Sequence, residues 1–113
     1  MPTNKDLNSI VDILKAIEDI MDSVNGISFI ELDASREKQA AIFYFLIIIG
    51  EATKRLSKEF RAEHPEIDWQ GMAGMRDILA HQYDRVNTQV IWDVIQTDLL
   101  PLSVSLQRLL EKS

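Results

Sequence analysis

Residues 40–49, Ala-Ala-Ile-Phe-Tyr-Phe-Leu-Ile-Ile-Ile, carry no charge, and the hydroxyl of Tyr44 is their one polar side-chain group. Strong helix formers flank the run and no turn signal interrupts it before Gly50, so it reads as the centre of a helix over 35–62. A stretch of that length circles a helix axis more than twice, so every face of the helix is apolar there. A helix in a lone bundle buries a single stripe. The run therefore demands a second buried face. A subunit interface, giving a homodimer or higher homo-oligomer, is expected; deep enclosure within one chain is the alternative. On the first reading 40–49 is mostly buried only when two chains are counted, and Asp at Phe45 or Ile48 would bury an unpaired charge.

The rest of the chain fits an all-α, up-and-down four-helix bundle with a kinked or split C-terminal helix, assembling through a bundle face. In a first helix over 5–24, Leu7, Ile10, Val11, Leu14, Ile17, Met21 and Val24 recur at three- and four-residue spacings. Lys5, Asp6, Asp12, Lys15, Glu18 and Asp19 supply its wet side, Thr3 or Asn4 can cap it, and Asn25-Gly26 stops it. Residues 27–34 read as a loop whose Ile27, Phe29, Ile30 and Leu32 pack onto the bundle. His64-Pro65 ends the second helix, which makes His64 a helix-end residue. Asp68 is a good cap for a third helix over 69–81, and Asn87 for a fourth whose apolar face is Val90, Ile91, Val94, Ile95, Leu99 and Leu102. Pro101 lacks a backbone donor and clashes with the carbonyl of Thr97, which predicts a kink or break near 97–101. Gly50, Gly71 and Gly74 suggest close helix approach.

At 113 residues, with no cysteine, one domain spanning 1–113 and a cytosolic location are expected, with no disulfide and no membrane span. A net charge of −6 argues against a broad nucleic-acid-coating surface, so any positive field must be local. Lys54, Lys58 and Arg61, with Arg55 alongside, form the one basic stripe. A solvated face with pairs such as Glu51–Arg55 and a track for an RNA backbone weigh equally. No paired-histidine metal motif, glycine-rich phosphate loop or nucleophile elbow is present, and no metal or cofactor is expected.

Elimination leaves one stretch with catalytic character, Met75-Arg76-Asp77-Ile78-Leu79-Ala80-His81-Gln82-Tyr83. Arg76 offers a planar cationic fork suited to phosphate. His81 can exchange a proton near neutral pH. The two lie about 140° apart on an ideal helix. Either the arginine curls round, or a second subunit completes the site.

The R-x4-H-x-Y pattern at 76–83 resembles the signature of the HepT toxins, within the HEPN superfamily of small helical proteins. Gly50-Glu51-Ala52, His64-Pro65-Glu66-Ile67-Asp68-Trp69, Val90-Ile91-Trp92-Asp93 and Asp98-Leu99-Leu100-Pro101-Leu102 agree in order, covering roughly residues 5–110. The resemblance implies a metal-independent endoribonuclease acting on tRNA or mRNA in a cleft between protomers. It implies that Arg76 holds the scissile phosphate and His81 acts as acid or base. Asp77, in the polar position after the arginine, would orient His81 or simply cap the helix surface. The implied partner is a nucleotidyltransferase antitoxin that transfers AMP to Tyr83. Two other readings stand beside this one: a non-catalytic nucleotide- or substrate-binding subunit of a nucleotidyltransferase, and a helical oligomerisation protein with no site.

Overall fold

The computed structural model describes residues 2–82, 84 and 86–112. Among them every regular element is helical: α1 (Asn4–Val24), α2 (Phe29–Ala34), α3 (Arg36–Arg55), α4 (Lys58–Glu63), α5 (Trp69–Gln82), α6 (Thr88–Asp93), a π-helical segment (Val94–Leu99) and α7 (Leu100–Glu111). The all-α class expected from the sequence is the one found. No helix among the described residues is long and apolar enough to cross a membrane.

The helices start where short polar side chains can accept from their exposed amides. Thr3 and Asp6 form a reciprocal capping box on α1. Asp68 Oδ1 accepts from the Gly71 amide at 2.9 Å and Asn87 Oδ1 from the Val90 amide at 2.9 Å. The 27–34 segment departs from the loop reading. Ser28 and Glu31 build a second capping box there, and α2 follows, burying Leu32 but leaving Ile30 exposed.

The core lies between α1, α3 and the C-terminal helices. Ile10, Ile13, Ile17, Ile20 and Val24 of α1 meet Ile42, Leu46 and Ile49 of α3, with Ile91, Ile95, Leu99 and Leu106 closing the other side. The buried face of α1 is rotated from the expected one. Ile13, Ala16 and Ile20 point inward, whereas Val11 is about half exposed. Val90 is likewise mostly outside the face it was assigned to. Of the run 40–49, the single chain buries Ile42, Leu46 and Ile49, one stripe at helical spacing. Phe43, Phe45, Ile47 and Ile48 are half-buried and Tyr44 stays 61% exposed.

The helix expected over 35–62 is two helices. Leu56 adopts an extended backbone and Ser57 restarts the chain as the cap of α4, its hydroxyl accepting from the Phe60 amide. The cause lies far away in sequence. Asp6, placed on the wet side of α1 by its charge, is buried, and its carboxylate accepts from the Ser57 amide at 2.8 Å and the Ser57 hydroxyl at 3.0 Å.

No break falls at 97–101, where a kink or break was expected. The helix runs on, but it widens into the π-helical segment just before the proline. The Thr97 hydroxyl donates to the Asp93 carbonyl at 2.6 Å within that widened turn.

Candidate active site

The packing of α5 is almost entirely against α3, and Gly50 sets how close the two come. A Cβ on Gly50 would overlap the Cβ of Arg76 and lie 2.8 Å from its Cγ and 3.0 Å from the Met72 carbonyl oxygen. Only a residue without a side chain fits, so the base of Arg76 rests on the α3 backbone. This is the close approach the sequence suggested at Gly50. The same expectation fails at Gly74, which faces open space. At Gly71 the neighbour is the capping carboxylate of Asp68, not another helix.

This approach delivers the Arg76 guanidinium to Glu51, one residue after the glycine. Nε of Arg76 and Oε1 of Glu51 form an ion pair, and neither atom touches solvent. Arg76 Nη1 donates to Asp77 Oδ1 at 3.1 Å, and Lys54 Nζ donates to the same oxygen at 2.6 Å. The hydrogen bond to Asp77, against the opposing cost of desolvation and with Glu51 adding to it, holds the arginine above its ordinary value. Hydrogen bonds from Lys54 and then Arg76 hold the Asp77 carboxyl below its own. Both shifts favour the charged forms of Arg76 and Asp77. Two cations face two anions, so the positive field that RNA binding would need is compensated at this quartet.

His81 is exposed on the last turn of α5 and, among the described residues, has no hydrogen-bond or ion-pair partner. Asp77 serves Lys54 and Arg76, so the described contacts give it no part in orienting His81. Arg76 leans toward α3 while His81 stands in solvent, as their angular separation on the helix requires. Tyr83 lies outside the described residues.

The basic stripe does not survive as a continuous helix face. Lys54 ends α3 in its pairing with Asp77, whereas Lys58 and Arg61 belong to α4 beyond the Leu56–Ser57 turn. The local pair Glu51–Arg55 is replaced by two distant ones: Glu51 with Arg76, and Arg55 with Asp12 at 3.3 Å. Glu51 is the member of the site that sequence reasoning missed. Helical spacing favours a neighbour four residues on, and only the glycine beside it hinted that another helix would come this close. His64 caps the end of α4, its ring 4.8 Å from that of Phe60, in keeping with a structural role.

A cleft of about 510 Å³ opens between α3, the start of α5 and the C-terminal helices. Its floor is apolar, with Leu46, Ile49, Met72 and Leu99, and its rim holds Glu66, Asp68 and Asp98. Among the described residues no cation lines it, and neither Arg76 nor His81 opens into it, so those residues offer nothing to a phosphate backbone.

Comparison with known proteins gives one consistent result. The family model described as Ribonuclease HepT-like matches residues 13–109. A protein of Thermococcus cleftensis named "Probable ribonuclease HepT" is 38% identical over 98 residues, 87% of this chain and 89% of its own. A protein of Caldanaerobacter subterraneus subsp. tengcongensis, provisionally named an RNase, is 39% identical over 100 residues, 88% of this chain and 89% of its own. A third, from Methanocaldococcus jannaschii and also provisionally named an RNase, is 39% identical over 84 residues, 74% of this chain and 69% of its own. No solved structure matches the chain.

Proposed function

The chain belongs to the HepT-like ribonuclease family, and from that premise we propose that it is a metal-independent endoribonuclease, the toxin of a pair with a nucleotidyltransferase antitoxin. The observation that carries the reading is the family match across 13–109 together with Arg76 held at the α3–α5 contact and His81 free in solvent one turn on. RNA, tRNA or mRNA, is the substrate.

In this reading Arg76 holds the scissile phosphate through its terminal nitrogens. The ribose 2′-oxygen attacks phosphorus, the bond to the 5′-oxygen breaks, and the upstream fragment ends in a cyclic phosphate. One proton leaves the 2′-hydroxyl and one reaches the departing oxygen; His81 performs one of these transfers. The other falls to a group from a second copy of the chain, which is why the working cleft is placed between protomers. Lys58 and Arg61, with Lys54 where it can leave Asp77, would track the RNA backbone. Control comes from AMP carried to Tyr83 by the antitoxin. Its phosphodiester satisfies Arg76 in place of substrate, and its adenosine blocks the approach.

Purified protein incubated with total RNA tests this. Cleavage should persist in EDTA and leave cyclic-phosphate ends. His81→Ala and Arg76→Ala should each lose it with the helical circular-dichroism spectrum intact. Loss of cleavage in chelator overturns the metal-free mechanism. With the antitoxin, ATP and magnesium, wild type should gain AMP and fall silent, whereas Tyr83→Phe should gain none.

A further inference from the structure

Arg76 can hold a phosphate productively only if its guanidinium is fixed in space. The side chain has several rotatable bonds, and a partly exposed arginine samples many of their states. Three observations show how this one is restrained. The Gly50 backbone supports its base. Its Nε is sealed from solvent against Oε1 of Glu51. Its Nη1 donates to Asp77, which Lys54 holds in turn. Nε, at the root of the fork, is paired with Glu51 as an ion pair; the donors on Nη1 and Nη2 form the edge that matches two phosphate oxygens. Asp77 is exposed and shared with Lys54, so an incoming phosphate can displace it. Glu51 sits at the root of the fork, on the far side from that edge, and need not move.

We propose that Glu51 is a positioning residue for the cleavage reaction: its carboxylate, with Oε1 sealed against Nε of Arg76, aims the terminal edge of the guanidinium at the scissile phosphate. The assignment rests on the nuclease reading above. Its consequence separates geometry from charge. Glu51→Gln keeps an oxygen able to accept from Nε but removes one negative charge. Glu51→Ala removes charge and acceptor together. A counter-ion role would make the two variants alike. A positioning role makes them differ, because only alanine lets the guanidinium swing.

The experiment is steady-state cleavage of a short RNA by wild type, Glu51→Gln, Glu51→Ala and Glu51→Asp, with circular dichroism on each. Loss of aim by an ångström costs roughly 10²-fold in rate. Glu51→Ala should therefore lose about that factor in kcat, while its KM stays level or falls because a negative charge has gone. Glu51→Gln should keep kcat within a few-fold of wild type. Glu51→Asp, which withdraws the acceptor by one methylene without changing charge, should fall toward alanine; it decides the matter if alanine does not fold. Exchange of the Arg76 Nε proton, followed by nitrogen-15 NMR, should quicken in Glu51→Ala and Glu51→Asp but not in Glu51→Gln. Wild-type kcat in Glu51→Ala and Glu51→Asp overturns the proposal, and so does equal loss in Glu51→Gln and Glu51→Ala. A wild-type protein that cuts no RNA overturns the nuclease reading, and this one with it.

Discussion

Replacing Gly50 by alanine adds one methyl group to a space that Arg76 already fills. In an ordinary helix interior the change stabilises by about 1 kcal/mol. Here the new carbon meets the first two side-chain carbons of Arg76 and a backbone carbonyl, none of which can turn aside without moving α5. Overpacking of this kind costs about 1–3 kcal/mol, so the balance should reverse. Gly50→Ala is expected to lower the midpoint of urea unfolding. It should also cut RNA cleavage more than stability explains, because the displaced helix carries Arg76 off Glu51. Higher stability in the alanine variant would show that α5 can yield at no cost.

At the scale of the element, the break between α3 and α4 is held by one carboxylate. Asp6 closes the capping box of α1 and accepts from the amide and hydroxyl of Ser57. Burial alone would raise its pKa; the hydrogen bonds from Ser57 and Thr3 outweigh that and leave it lowered from 3.8. A carboxyl whose folded value lies below its unfolded one stabilises fully above the unfolded value. That contribution fades as pH falls through the lower, folded value. Acid unfolding should therefore have a component below pH 4 that Asp6→Ala abolishes. At neutral pH that variant leaves the part-buried Ser57 amide without its acceptor, costing about 1 kcal/mol. An unchanged acid transition in Asp6→Ala would remove this carboxylate from the account.

The same residues show what the sequence could and could not say. Caps at Thr3, Asp68 and Asn87 were legible because the accepting side chain lies three residues from its amide. The disturbance before Pro101 was legible because proline's missing donor is a local fact. Asp6 was misplaced on the wet side of α1 because its charge suggests solvent, and its partner stands 51 residues away. Glu51 was missed for the same reason: Arg76 reaches it only through the fold. Arg76 and His81 were found by residue chemistry and spacing, but the neutral quartet around the arginine required the structure.

For the whole molecule, the question is what covers the run 40–49. One chain buries a single stripe of it and leaves Tyr44 61% exposed, with Leu100 at 61% and Val104 at 40% on α7. Phe45 and Ile48, the positions first suggested for a charge, are half-buried against this chain's own core. Aspartate there would disturb a monomer and an interface alike, so those variants cannot separate the two. Tyr44 can. In a monomer Tyr44→Asp alters an exposed side chain, with an effect within about 0.5 kcal/mol. In a dimer closed over this face the same change buries an unpaired charge at a cost of several kcal/mol. Light scattering at micromolar concentration should find wild type as a dimer and Tyr44→Asp as a monomer with an unchanged helical spectrum. The monomeric variant should also lose RNA cleavage, although Tyr44 is not among the residues assigned to the chemistry, because the cleft between protomers is gone. A dimeric Tyr44→Asp protein would place the interface elsewhere. A well-folded wild-type monomer at that concentration would end the shared-cleft mechanism, and His81 would then need its second proton-transfer group from within one chain.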